Sequence, residues 1–291
     1  MSPPPRLMTS PLMRPYWLLL AAGFLLPACS STEGPGPDTP ATAKRAEPAG
    51  HTEAPFQPPQ APILYQPQFL WDDASLTRQG TGFFTKAPDG RVAAVSSVHY
   101  LQSGDYPIYE ASFLTVDAEE PIATFTRHWG PPGDGGSLQP ADLTGDYLLM
   151  PASEGMIPDK SILTLDERPE GPARGERVWL AVKDLEAEHG YRTEPGVVAM
   201  SRDKFIVVAP DTSLPLASLN GAPVISQQTG GVIGTLSRGA KRESESDLLV
   251  LTPASAIRQA LRRAERFPSL EQAFTERTAA SKESRRDDEA G

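Results

Sequence analysis

The sequence has 291 residues, enough for one mid-sized domain with tails, and a net charge of -10. This acidic balance argues against nucleic acid as a partner. The composition is 39% hydrophobic with 31 prolines and 24 glycines, and both ends of the chain differ from its middle.

The N-terminus has the parts of a bacterial lipoprotein signal. Two arginines precede the apolar run YWLLLAAGFLL, which is shorter than the roughly 20 apolar residues that span a bilayer. The next residues, Leu26-Pro27-Ala28-Cys29, resemble the lipobox, in which the bond before the cysteine is cut and the cysteine carries the lipid. We therefore expect a signal peptide over residues 1–28 and lipidation of Cys29, the only cysteine of the chain. An ordinary signal peptide is the alternative.

Such a lipid places the protein at the cell envelope, and Ser30 after the cysteine favours the outer membrane by resemblance to lipoprotein sorting. Residues 29–66 are rich in Pro, Ala, Thr and Glu, so they bury too little apolar surface to offset their ordering entropy. We predict a disordered, extended tether there. Residues 268–291 end in the mixed charge run SKESRRDDEAG, which predicts a solvated, disordered tail.

Between these ends, residues 67–267 contain short runs that are rich in Val, Ile, Phe, Tyr and Thr and are separated by turn signals. Their spacing is typical of an all-β barrel or sandwich. The runs are TGFFTK, RVAAVSSVHYL, YEASFLTVD, IATFTRHW, DYLLMPAS, SILTL, RVWLAV, GVVAMSR, KFIVVAP, APVIS, GVIGTLS and DLLVLTP. The segment QQTGG, residues 227–231, predicts a hairpin connection between two of them.

One helix is predicted, over TPASAIRQALRRAERF. Thr252 is expected to cap it, and Pro253 suits its first turn. Apolar residues recur at helical spacing and predict the buried face: Ile257, Ala260, Leu261 and Ala264. The arginines predict a solvated outer face: Arg258, Arg262 and Arg266.

The sequence contains no phosphate-binding glycine loop, and its four histidines lack paired metal-ligand spacing, so we predict no cofactor and no metal. Three segments in chain order carry a different signal. GTGFFTKAPDGRVAAVSSVHYL ends a second strand at His99, GDYLLMPAS puts Asp146 at the head of an apolar strand, and SLNGAPVIS runs from a tight turn into a strand.

This order resembles the trypsin-like serine peptidases, particularly the bacterial periplasmic type related to the high-temperature-requirement proteases. Their motifs are G-S-G-F, T-x-A-H, D-[LI]-A-[VL]-[LI] and G-[ND]-S-G-G-P. The resemblance implies an all-β fold of two six-stranded antiparallel β-barrels with a C-terminal helix. It also implies that His99 is the general base, that Asp146 orients it, and that Asn220 stands where the attacking serine belongs. A carboxamide nitrogen, whose lone pair is delocalised into the carbonyl, cannot serve as an activated nucleophile.

The turn around Asn220 departs from the family pattern at two more positions. Ser218 replaces the glycine whose N–H helps to form the oxyanion hole, and Leu219 replaces a polar residue, while Gly221 matches. The family's cleft pairs an extended peptide with a strand, here Thr235-Leu236-Ser237-Arg238, so we expect an inactive protease fold that binds a peptide or protein. Two alternatives stay open: an active endopeptidase with Ser218 or Ser226 as a displaced nucleophile, and an envelope interaction protein whose cleft is unused.

Overall fold

A computed structural model describes residues 56–58, 60–87, 89–98, 108–116, 118–128, 142–152, 157–215, 219–240, 247–263 and 269–270. All of them belong to the unit His51–Gly291. The signal peptide, Cys29 and most of the predicted tether lie outside the described residues, as do His99 and Ser218. Within the described ranges, no helix combines the length and the apolar character that a membrane span needs.

An eight-stranded sheet forms the first half of the domain, in the order β6-β5-β1-β3-β4-β7, with β2 added to β1 and β8 added in parallel to β3. The alternation of residues explains its inner face, because every second side chain of YQPQFLW is buried. Aromatic side chains pack edge-to-face in this core, in the pairs Tyr65–Phe84 and Phe113–Phe125. The strands are β1 (Tyr65–Trp71), β2 (Leu76–Arg78), β3 (Gly82–Lys86), β4 (Val92–Ser96), β5 (Ile108–Thr115), β6 (Pro121–Phe125), β7 (Leu148–Pro151) and β8 (Ile162–Leu163).

A closed six-stranded antiparallel barrel forms the second half, in the order β10-β11-β14-β13-β12-β9. The predicted hairpin at residues 227–231 is confirmed, because it joins β12 to its antiparallel neighbour β13. Helix α1 (Ala254–Arg263) buries Ile257, Ala260 and Leu261, as the apolar stripe predicts. The strands are β9 (Arg177–Lys183), β10 (Tyr191–Arg202), β11 (Phe205–Pro210), β12 (Pro223–Ser226), β13 (Val232–Ala240) and β14 (Leu248–Pro253).

The all-β prediction with a C-terminal helix is confirmed. The second half has the six strands expected of a barrel. The first half has two more strands than the sequence predicted, because β1 and β2 precede the first predicted run. Proline and glutamine interrupt YQPQFLW, so its period-two burial is weakly marked in the composition although every second residue packs inward.

Both predicted chain-end boundaries need correction. Residues 56–66, assigned to the tether, belong to the folded domain, since Ile63 and Leu64 are fully buried and the Tyr191 hydroxyl donates to the Ala61 carbonyl at 3.0 Å. The predicted tail begins too early as well, because Leu270 is 2% exposed and its N–H donates to the Thr126 carbonyl at 3.0 Å. In each case a few apolar residues in a polar or proline-rich segment are enough to dock the chain.

Two details of the predicted helix also differ. Thr252 lies in β14, and its hydroxyl donates to the Asp146 carbonyl at 3.0 Å in place of the expected cap. Arg258 is partly buried, and its guanidinium donates to the Asp166 carbonyl, so it ties α1 to a neighbouring segment and is not simply solvated.

Candidate functional site

A tight turn, Leu219–Ala222, leads into β12 and carries the residue aligned with a protease nucleophile. The Ala222 N–H donates to the Leu219 carbonyl at 2.9 Å. Gly221 has a φ of +88°, and a Cβ at this position would lie 2.0 Å from the Thr81 carbonyl oxygen. Only glycine fits both the backbone angle and the space, which explains why this residue matches the family pattern.

The peptide group between Asn220 and Gly221 is held from both halves of the domain. Its carbonyl oxygen accepts the Thr81 N–H at 2.8 Å and the Thr81 hydroxyl at 2.9 Å. Its N–H donates to the Leu236 carbonyl of β13 at 2.6 Å. The Ser96 hydroxyl donates to the Thr81 carbonyl at 2.7 Å and so fixes the docking segment itself. The turn is therefore clamped between the first sheet and the second barrel.

The Asp146 carboxylate is completely buried and is also bonded from both halves. Its Oδ1 accepts the Ser97 hydroxyl at 2.5 Å and the Val98 N–H at 3.0 Å, and its Oδ2 accepts the Ser237 hydroxyl. The buried Asp146 side chain thus has the hydrogen-bond partners that a buried polar group requires. Val98 immediately precedes His99, which itself lies outside the described residues.

Asp146 and the turn meet the same two short segments. Ser96 and Leu236 bond the turn or its docking segment, and the next residue of each segment, Ser97 and Ser237, bonds Asp146. Two of the three residues aligned with a catalytic triad are therefore brought to one place between the halves. Sequence reasoning did not single out Ser97 as a partner of Asp146, although the SS of RVAAVSSVHYL marks where the bonds form.

The predicted peptide-binding strand is only partly available for pairing. Thr235 pairs with Pro223 on one side and Thr252 on the other, and Leu236 exchanges backbone hydrogen bonds with the turn. Beyond Leu236, the described residues give β13 only one partner strand, β14. An added peptide can therefore pair only from Ser237 onward, which corrects the predicted stretch Thr235-Leu236-Ser237-Arg238 at its first two residues.

Leu219 stands at a polar position of the family pattern but is 1% exposed and packs in a core cluster to which both halves of the domain contribute. Its burial explains why an apolar side chain occupies this position. Ser226 is also fully buried, donates to the Glu176 carboxylate at 2.5 Å and accepts the N–H groups of Gln228 and Thr229. Its hydroxyl is used to shape the hairpin.

A buried ionic cluster, Asp166, Arg168 and Glu176, supports this hairpin. Arg168 bonds Glu176 through two nitrogens at 2.8 Å, and its Nε lies 3.0 Å from each Asp166 oxygen. Burial opposes ionisation of both carboxyls, but the hydrogen bonds from Arg168 and from neighbouring groups outweigh it and lower the pKa of each. The scattered positions of these residues gave no sequence signal.

No protein-family model matches the sequence, and no curated protein matches it. Among solved structures, a mutant of human heparin binding protein is similar with 15% identity and a TM-score of 0.53, covering 72% of this chain and 94% of that one. An inactive form of a mutant of Rv3671c from M. tuberculosis aligns with 15% identity and a TM-score of 0.43, over 70% and 88%. A protein named GrC aligns with 14% identity and a TM-score of 0.49, over 73% and 98%.

The fold is that of the trypsin-like serine proteases. Within this fold, the turn and the buried aspartate lie between the two β halves.

Proposed function

We propose that this chain is an exported lipoprotein anchored through Cys29, and that its trypsin-like domain is a pseudoprotease that binds an extended peptide or a protein partner at the cell envelope. The observation that carries the proposal is Asn220, a carboxamide at the serine position of a turn whose backbone is otherwise tightly docked. Because the amide cannot attack a carbonyl, acyl transfer lacks its first step. Peptide pairing needs no nucleophile and can outlast its loss.

The rival with a displaced nucleophile is weakened by the surroundings of Ser226. Its hydroxyl donates to Glu176, not to a histidine, and has no solvent exposure through which a substrate could approach. A serine needs an adjacent general base and access to the carbonyl that it attacks. Ser218, the other candidate nucleophile, lies outside the described residues.

The proposed ligand site is the edge of β13 from Ser237 to Gly239. Backbone pairing along such an edge gives affinity with little dependence on sequence, so the partner is expected to offer an extended segment. The third reading, an envelope protein with an unused cleft, differs in predicting that nothing pairs there. The anchor is expected to keep this cleft near the membrane through the residues that precede the folded domain.

Activity-based labelling tests the first part of the proposal. We expect a serine-directed fluorophosphonate to leave the full-length protein unlabelled, with an active trypsin-like protease as the positive control. Labelling that survives Asn220→Ala but not Ser218→Ala would refute the inactive assignment and support the displaced nucleophile. Palmitate incorporation and membrane fractionation of Cys29→Ala test the anchor separately, and retention of the label would contradict lipidation.

Site-specific photo-crosslinking tests the binding. A photoreactive residue at Gly239, on the proposed edge, is compared with one at Leu185, which is 66% exposed outside that edge. We expect a discrete set of adducts at position 239, whose peptides map to one extended segment of the partner, and none of them at position 185. Equal amounts of crosslinked adduct at both positions, or no adduct at position 239, would favour the alternative of an envelope protein whose cleft is unused.

A further inference from the structure

The chain contains a single asparagine, Asn220, and a glycine follows it. In an Asn-Gly pair the absence of a Cβ on the second residue leaves its backbone nitrogen open to approach the asparagine side chain. Asn220 is half-buried, and its side-chain oxygen is shielded from solvent while the turn is in place. This pair therefore has the composition that spontaneous deamidation requires, while access of water and hydroxide to the amide depends on opening of the turn.

The reaction balances without any oxidant or reductant. The backbone nitrogen of Gly221 loses its proton to hydroxide and attacks the side-chain carbonyl carbon of Asn220. A carbon–nitrogen bond forms, a five-membered imide closes, and the side-chain nitrogen leaves as ammonia. Water then opens the imide at either carbonyl and gives aspartate or isoaspartate. The sum is an amide and water becoming a carboxylate and ammonium.

The folded structure opposes the first step at both atoms of the peptide group. The attacking nitrogen has its proton donated to the Leu236 carbonyl at 2.6 Å, and the carbonyl oxygen of the same group is held by Thr81 at 2.8 and 2.9 Å. The Gly221 backbone also packs closely against Thr81, since a Cβ built on Gly221 would lie 2.0 Å from the Thr81 carbonyl oxygen, so the peptide group has little room to move. The nitrogen can reach the side chain only after the turn leaves one of the two halves.

We propose that Asn220-Gly221 is a latent deamidation site, which is protected while the two halves clamp the turn and reacts when the turn opens. Deamidation then replaces a neutral amide by a negative charge at the position aligned with the protease nucleophile. The isoaspartyl product also routes the backbone through an extra carbon, which the close fit against Thr81 does not accommodate. Deamidation therefore marks a molecule whose turn has opened long enough to react, and it prevents the turn from closing as before.

The full-length protein is incubated in detergent at mildly alkaline pH, and its deamidation is followed by liquid chromatography and mass spectrometry of its peptides. The aspartyl and isoaspartyl peptides have equal masses and are distinguished by their chromatographic retention times. Since no other asparagine is present, the product peptide is unambiguous, and Asn220→Gln serves as the blank. We expect deamidation in the native protein to be more than about tenfold slower than in the same protein unfolded in urea. Equal rates in the two states, or no reaction in urea, would overturn the proposal.

A matched pair of variants locates the protection in the clamp. Thr81→Val removes the hydroxyl that bonds the Asn220 carbonyl, and Thr85→Val removes an equally buried hydroxyl that donates to Leu163 at 2.8 Å, away from the turn. Loss of one such bond is expected to speed native deamidation about two- to tenfold in Thr81→Val. Thr85→Val is expected to react at the rate of the unmodified protein. The same acceleration in both variants would show that global unfolding, not opening of the turn, controls the reaction.

Discussion

Replacing Arg168 by methionine removes the one cation that joins two buried carboxylates. The Asp166 and Glu176 side chains are each 4% exposed, whereas that of Arg168 is 22% exposed. Breaking a buried ion pair by removing one partner costs about 3–5 kcal/mol, because the remaining charge is left uncompensated. The partial exposure of Arg168 places the expected loss at the lower end, about 3 kcal/mol. For a domain of this size that corresponds to a fall in Tm of about 6–12 °C.

Thermal unfolding followed by circular dichroism near pH 7 measures this loss. The control is Arg177→Met, because Arg177 and Asp211 also form a close pair, at 2.6 Å, but their side chains are 47% and 39% exposed. An exposed pair contributes about 0–1 kcal/mol, so the control is expected to melt close to the unmodified protein. Equal shifts in the two variants would refute the reasoning that burial makes the Arg168 cluster important.

Acid gives a second readout of the same cluster. The pKa values of Asp166 and Glu176 are lowered in the folded protein, since Arg168 outweighs the effect of burial. Groups with a lowered folded-state pKa stabilise the fold above their unfolded pKa, about 4, and lose that contribution as the pH falls through the folded pKa. We expect the Tm gap between the unmodified protein and Arg168→Met to narrow as the pH falls below about 4. A Tm difference that stays constant with pH would contradict the conclusion that Asp166 and Glu176 are ionised and paired with Arg168 in the folded protein.

Three further changes probe the turn, the C-terminal segment and the hairpin, each measured by urea unfolding. Gly221→Ala is expected to cost clearly more than Gly90→Ala, since both glycines have positive φ but only the first also lacks space for a Cβ, and equal losses would show that the turn can move aside. Leu270→Ala is expected to cost about 2–5 kcal/mol because its side chain is buried in the first core, and no loss would mean that this segment is not docked in solution. Ser226→Ala is expected to cost about 1–3 kcal/mol, as it leaves the buried Glu176 with one donor fewer, and an unchanged midpoint would argue against the hairpin network.

The sequence predicted the elements whose residues alternate clearly and the turn whose chemistry is local. The strands of the second barrel and the buried stripe of α1 follow from period-two and helical patterns, and the glycine of the turn follows from its special backbone angle. Long-range side-chain bonds have no such period. Ser97 and Ser237 converge on Asp146 only because the halves pack together, so no spacing in the chain marks them.

The chain ends were misjudged for a related reason. The composition of a segment is an average over all its residues, so the Pro-rich stretch before β1 is predicted to be a tether. Ile63 and Leu64 within it are nevertheless fully buried. Likewise Leu270 belongs to the segment that ends in the charge run SKESRRDDEAG, but its side chain packs in the core of the first sheet. A few apolar residues decide docking, whereas the average composition of the segment does not.

Each of these two end segments packs on the half of the domain that is farther from it in the sequence. The chain before the first sheet packs on the second barrel, where the Phe56 N–H donates to Gln227 and the Trp179 ring N–H donates to the Phe56 carbonyl, each at 2.8 Å. The chain after α1 returns to the first sheet, where Leu270 bonds Thr126. Contacts between residues so distant in the sequence slow folding, because the chain loses the entropy of closing a long loop before these contacts can stabilise it. The second barrel is complete only once α1 has been synthesised, and the first sheet only once the chain has reached residue 270. The domain is therefore expected to fold as a unit after translation and not half by half.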